Sequence, residues 1–102
     1  MFIASLDRIE MRLIFDFFRG QTAELHALYW DRKEFKNIEK FYANIKLTEE
    51  IKQIPSGSII ECFFDKPEWI FMRQREDRDH PNGLRTIQGL FRLIYANYEH
   101  SD

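Results

Sequence analysis

One stretch of this chain concentrates residues able to handle a polyanion: Trp69-Ile70-Phe71-Met72-Arg73-Gln74-Arg75-Glu76-Asp77-Arg78-Asp79-His80-Pro81-Asn82. Arginine carries a planar fork of donors that matches phosphate oxygens, so Arg73, Arg75 and Arg78 are candidate phosphate ligands. Asp77 cannot meet a phosphate directly, and its expected part is to orient an arginine or a metal-bound water. On an extended strand Arg73 and Arg75 share a face, with Trp69 and Phe71 in line below them. That arrangement puts positive charge at the rim of an aromatic-lined element. The same residues have a plainer reading. Alternating charges such as Arg-x-Arg-Glu-Asp-Arg-Asp also occur as solvated faces laced with weak ion pairs, and Trp69 and Phe71 also suit a core.

Other candidate chemistry is sparse. Cys62 is the single cysteine, which excludes an internal disulfide and fits a reducing compartment. Its neighbours Ile59-Ile60-Glu61-Cys62-Phe63-Phe64 place it in a buried strand, where a thiol is inert. His80 has no second His or Cys at ligand spacing, so no metal site is expected, and His26 and His100 have no evident role. With 15 basic and 17 acidic residues the chain lacks the basic excess of a bulk-electrostatic nucleic-acid binder. An anion site must then be a local cluster. No apolar run is long enough to span a membrane, and Met1-Phe2-Ile3-Ala4-Ser5 does not read as a signal peptide, so a soluble intracellular protein is expected.

The elements that must position these residues are mostly strands. Ile9, Met11, Leu13, Phe15 and Phe17 alternate with polar Arg8, Glu10, Arg12 and Asp16, with Ile14 the one apolar residue on the outer face. Arg19-Gly20-Gln21-Thr22 reads as a turn, and Glu24 to Trp30 as a second strand. Phe41, Ala43, Ile45 and Leu47 mark the inward face of a third. Thr48 is placed to cap a short helix whose Glu49 and Glu50 lie at its positive end, and Pro55-Ser56-Gly57 ends it. Ser58 to Phe64 and Trp69 to Arg75 are strands joined by a tight connection at Asp65-Lys66-Pro67-Glu68. The period then becomes helical. Leu84, Ile87, Leu90, Phe91, Ile94, Tyr95 and Tyr98 share one face, with Asn82 a candidate N-cap. A chain of 102 residues holds one domain. The expected fold is mainly β over residues 1–102: a five-stranded antiparallel OB-type barrel with a short inserted helix and a C-terminal amphipathic helix, its interior filled by ten Phe, four Tyr and two Trp.

The segment Ile59-Ile60-Glu61-Cys62, then Trp69-Ile70-Phe71-Met72-Arg73-Gln74-Arg75, then Asp77-Arg78 and Pro81-Asn82, resembles the C-terminal signature of eukaryotic mRNA-capping guanylyltransferases. That family ends in an Arg-x-Asp-Lys element followed shortly by a Pro-Asn pair. The resemblance is tight from Ile59 to Asn82 and looser from Glu24. It implies an OB domain that closes over GTP bound to a separate nucleotidyltransferase domain. There a lysine in a Lys-x-Asp-Gly motif attacks the α-phosphate, forms lysyl-GMP, and GMP passes to the 5′-diphosphate end of RNA. Mg or Mn is implied for the complete enzyme, and none is expected to be bound by this chain. By the resemblance Arg75, Asp77 and Arg78 are the catalytic set, and Arg73, Arg75 and Arg78 engage the GTP phosphates. None of Lys33, Lys36, Lys40, Lys46, Lys52 and Lys66 is followed by x-Asp-Gly, so the nucleophile lies elsewhere. The family's lysine is Arg78 here. The implied partners are the nucleotidyltransferase domain, GTP, the RNA end and an RNA polymerase tail, in the nucleus. The alternatives are an OB module for single-stranded nucleic acid and a protein-interaction scaffold.

Overall fold

The computed structural model describes residues 8–16 and 20–99, with side chains in the last helix given through residue 92. Five strands form one antiparallel sheet: β1 (Ile9–Phe15), β2 (Thr22–Asp31), β3 (Lys36–Lys46), β4 (Ile59–Asp65) and β5 (Glu68–Gln74). Two helices accompany them, α1 (Glu49–Lys52) and α2 (Leu84–Glu99). The sheet order is β3-β2-β1-β4-β5. Three consecutive strands form a meander, and the fourth returns through α1 to lie beside the first, which is a Greek key. The Thr48 hydroxyl caps α1 as expected, accepting from the Ile51 N–H at 3.3 Å. Of the sequence expectations, Phe17, Arg19 and the side chains of Ile94, Tyr95 and Tyr98 lie outside the described residues.

Alternation makes the core. Ile9, Met11 and Leu13 on β1, Leu25 on β2, and Ile60 and Cys62 on β4 are fully buried, and Ile87 of α2 packs on the same cluster. Each side chain taken from water in this way contributes roughly 1.5–3 kcal/mol. The sheet's outermost strands, β3 and β5, come together through side chains. The Tyr42 ring of β3 meets Trp69 of β5 at 6.1 Å, and Trp69 also stacks on Phe64 at 5.2 Å and on Phe91 of α2 at 5.7 Å. Edge-to-face and tilted pairs at these spacings add to what burial alone gives. The five-stranded antiparallel architecture is as the alternation implies, and the sheet curls so that one aromatic cluster joins both ends.

Two local expectations fail for one reason each. Phe41, assigned to the inward face of β3, is 48 % exposed. The register runs Leu25↔Ala43 and then His26↔Phe41, so Tyr42 is an extra residue in β3. A one-residue bulge turns the strand over, sending Phe41 out and Tyr42 in. Asn82 does not cap α2. The helix begins with the Ile87 N–H donating to the Gly83 carbonyl at 3.1 Å, and the Asn82 side chain bonds to β1.

Candidate functional site

Glu10 and Glu61 stand directly opposite each other on the paired strands β1 and β4. Both are nearly buried, at 8 % and 5 % exposure. Like charges facing across a ladder repel, and burial makes the repulsion worse, so a counter-charge must lie between them. Arg75 supplies it. Its Nη1 lies 2.7 Å from Glu10 Oε2 and 3.0 Å from Glu61 Oε2. The other edge of the same guanidinium is a two-point pair with Asp77, Nε to Oδ1 at 3.0 Å and Nη2 to Oδ2 at 2.9 Å. This fork holds the Asp77 carboxyl down at about 2, below the usual carboxylate range, and the Asp77 hydrogen bond raises Arg75 further above its ordinary value. The Arg75 side chain is 14 % exposed and fully engaged by three carboxylates.

The other arginines of the cluster are held on one side only. Arg73 Nε donates to Glu61 Oε1 at 3.1 Å while its side chain is 59 % exposed. Arg78 is 55 % exposed, and its Nε approaches Glu10 Oε2 only to 3.7 Å. Arg8 lies 3.7 Å from Glu61 Oε1 at 42 % exposure. Four guanidiniums therefore surround three carboxylates, an excess of one positive charge, with three of the four facing outward. The exposed Glu76 and Asp79 flank the cluster and lower its potential.

The four residues singled out in the sequence thus come together in one cluster, but their facing differs from the expected one. The register passes from Cys62↔Phe71 to Glu61↔Arg73, leaving Met72 as an extra residue in β5. This bulge reverses the strand. Trp69 and Phe71 point to the core, whereas Arg73 and Arg75 lie on the opposite, outer face with Glu61 and Glu10. The aromatics are not aligned below the arginines.

The loop from Arg75 to Gly83 is fastened to β1 at two places. Arg12 Nη2 donates to the Asp79 carbonyl at 2.8 Å, while its Nε and Nη2 bind the Glu39 carboxylate. Asn82 takes the Glu10 N–H on its Oδ1 at 2.6 Å, and its own N–H donates to the Glu10 carbonyl at 2.7 Å. Pro81, next to it, is buried. Glu10, Arg12 and Glu61 are the residues that sequence reasoning missed. The signal was present for Glu61, an acid inside the apolar run Ile59–Phe64, and absent for Glu10 and Arg12, which alternation places on a solvent face.

The remaining candidates are quiet. The Cys62 Sγ is buried against the Ile9 carbonyl at 3.5 Å, and desolvation pushes the thiol well above its ordinary pKa, as an inert core position requires. His26 pairs with Glu24 at 2.8 Å, and His80 lies exposed beside Asp79 at 3.4 Å. Among the described residues no three His, Cys, Asp or Glu side chains converge as a cation site. No helix among the described residues is long and apolar enough to cross a membrane.

Comparison with known proteins agrees with the signature. The chain is 48 % identical over 56 residues to an mRNA-capping enzyme of Mus musculus and 42 % identical over 58 residues to one of Danio rerio. These matches cover 55 % and 57 % of this chain but only 9 % and 10 % of those proteins, so the chain corresponds to a small part of its relatives' length. A family model described as the mRNA capping enzyme C-terminal domain matches residues 7–102, and the chain, with its five-stranded sheet and arginine cluster, belongs to that family of enzyme domains.

Proposed function

We propose that this chain acts as the OB-type closing domain of an mRNA-capping guanylyltransferase, orienting the β- and γ-phosphates of GTP while GMP passes to a lysine of a partner nucleotidyltransferase domain and then to a 5′-diphosphate RNA end. The observation that carries the reading is the buttressed cluster: Arg73 and Arg78, more than half exposed, project from a base that Arg75 ties to Glu10, Glu61 and Asp77. Expelling pyrophosphate builds negative charge on the leaving group, and pre-positioned cations compensate it without reorganising.

The geometry divides the labour. Arg78, 3.7 Å from Glu10 and more than half exposed, is free to leave it for a phosphate. Arg73 supports it from the strand. Arg75 keeps Nη1 on the two glutamates, and its Nε/Nη2 edge, covered by the 67 % exposed Asp77, can take a phosphate once Asp77 swings out. Two-point binding of a phosphate uses the same fork that now binds the carboxylate. Arginine in place of the family's lysine at 78 keeps the charge but favours two-oxygen contact over a point charge. A divalent ion, nuclear location and docking of an RNA polymerase tail belong to the whole enzyme in this reading.

The test combines this chain with a capping-enzyme nucleotidyltransferase domain and radiolabelled GTP, and measures the lysyl-GMP adduct. Arg78→Ala is expected to lower adduct formation roughly tenfold or more without changing the melting temperature, and Arg78→Lys to retain most of it. Full adduct formation by the Arg73→Ala/Arg78→Ala double variant would sink the proposal.

A further inference from the structure

A second feature lies on the far side of the Arg75–Gly83 loop. The hydrogen bond from the Leu28 N–H to the Asn82 carbonyl, 3.0 Å, and the Leu28↔Gly83 bridge set the start of α2 against the β2–β3 hairpin. Between them runs a groove of about 360 Å³, whose lining includes Tyr29, Trp30, Arg32, Asn37, Arg85 and Gln88. Trp30 is 57 % exposed there. Five arginines elsewhere, Arg8, Arg12, Arg73, Arg75 and Arg78, are held on carboxylates. Arg32 and Arg85 have no carboxylate partner among the described residues, and no acidic side chain lines the groove. At the hairpin tip Phe35 is 76 % exposed and holds a left-handed backbone, φ 54°, which a bulky residue adopts at a cost.

From this arrangement we infer that the groove between the β2–β3 hairpin and α2 binds a short stretch of single-stranded RNA. An exposed indole offers a base a stacking face. Two guanidiniums with no carboxylate partner among the described residues complement a phosphodiester backbone, and the amides of Asn37 and Gln88 offer donors and acceptors to base edges. Planar rings, regular negative charge and edge hydrogen-bonding groups occur together in a nucleic-acid strand. The choice of RNA over DNA rests on the capping reading above. The groove and the Arg73–Arg78 cluster share no side chain, so either proposal can fail alone. The weak overall charge is no obstacle, because the two guanidiniums act locally.

The test titrates the 102-residue chain into a labelled, unstructured oligouridylate of about ten nucleotides, following anisotropy at several salt concentrations. Salt-sensitive binding is expected. Trp30→Ala should weaken it roughly tenfold, with Trp30→Phe recovering part of the loss. Arg32→Ala/Arg85→Ala should lower the log–log salt slope by about 1.4, the share of two single-strand phosphates. The variants sit at exposed positions, and an unchanged thermal melt checks that they fold. Absence of binding by the parent chain, or binding that Trp30→Ala and the double variant leave intact, overturns the inference. So does equal or tighter binding of oligothymidylate of the same length. Sedimentation showing that the groove is covered by a second copy of the chain, lost in Trp30→Ala, overturns it as well.

Discussion

Replacing Asn82 by alanine isolates one bond whose loss can be worked out from the structure. Strands β1 and β2 pair only from Arg12↔His26 to Phe15↔Ala23. Beyond that point they diverge, and Asn82 stands between them, bonded on one side to both backbone groups of Glu10 and on the other to the Leu28 N–H. Alanine keeps the two main-chain bonds and removes only Oδ1, the acceptor of the Glu10 N–H at 2.6 Å. Glu10 is 8 % exposed, so little water can replace that acceptor. A buried donor left unsatisfied costs roughly 1–3 kcal/mol. For a domain of this size each kcal/mol lowers the melting temperature by about 4–8 °C. Asn82→Ala is therefore expected to melt at least about 4 °C below the parent in circular dichroism. The Glu10 amide should lose most of its protection in hydrogen exchange. Asn82→Asp keeps the acceptor but adds a charge near Glu10, and should fall in between. A melting temperature within about 1 °C of the parent, with Glu10 still protected, would refute the view that this side chain closes the gap between the strands.

Two further outcomes follow from the arginine cluster. Asp77 should titrate near 2 in a carboxyl NMR experiment, against about 3.9 in an unfolded chain; because the folded value is the lower one, its contribution to stability is present above about pH 4 and lost as pH falls through 2, so the melting difference between parent and Asp77→Asn should shrink over that window and not above it. Arg75→Met should melt well below the parent because Glu10 and Glu61 then face each other with no cation between them, leaving Glu61 to Arg73 and Arg8 and Glu10 to the more distant Arg78, whereas the triple variant Arg75→Met/Glu10→Gln/Glu61→Gln should recover much of the loss; equal melting of the single and triple variants would show that the guanidinium does not serve as their counter-ion.

The period-two pattern from Ile9 to Phe15 and the helical face at Leu84, Ile87, Leu90 and Phe91 were readable because each follows a single regular repeat with one buried side. Two of the three places where the reading failed are bulges, at Tyr42 and at Met72. A bulge adds one residue to one strand, so it depends on the partner strand's register, which is not encoded in the local alternation. The cost was largest at the site. Reading β5 as a regular strand put Trp69, Phe71, Arg73 and Arg75 on one face, when the extra Met72 separates the aromatic core from the arginine surface. Asn82 was misread for a related reason. Its side chain suits a helix cap locally, yet the unpaired Glu10 N–H across the sheet is the stronger claim on it, and no local pattern reports that amide.

The same bulge explains how a chain with a slight acidic excess can offer a cation cluster. Turning β5 over at Met72 brings Arg73 and Arg75 onto the face where alternation has already placed Glu10 and Glu61. The acids do not simply cancel the bases, because they differ in exposure: Glu10 and Glu61 side chains are 11 % and 6 % exposed, while Arg73 and Arg78 are 59 % and 55 % exposed. Negative charge lies underneath and positive charge on top. A ligand approaching from solvent meets the guanidiniums first, and the buried carboxylates fix where those guanidiniums stand. Without Glu61, Arg73 and Arg8 would be loose surface side chains, each losing rotamer freedom on binding an anion. With it, part of that ordering is in place beforehand. The plainer reading of Arg-x-Arg-Glu-Asp-Arg-Asp as a solvated ion-pair face accounts for Asp77 and Asp79, but not for two nearly buried glutamates set beneath the arginines. That feature separates a held cluster from a decorated surface.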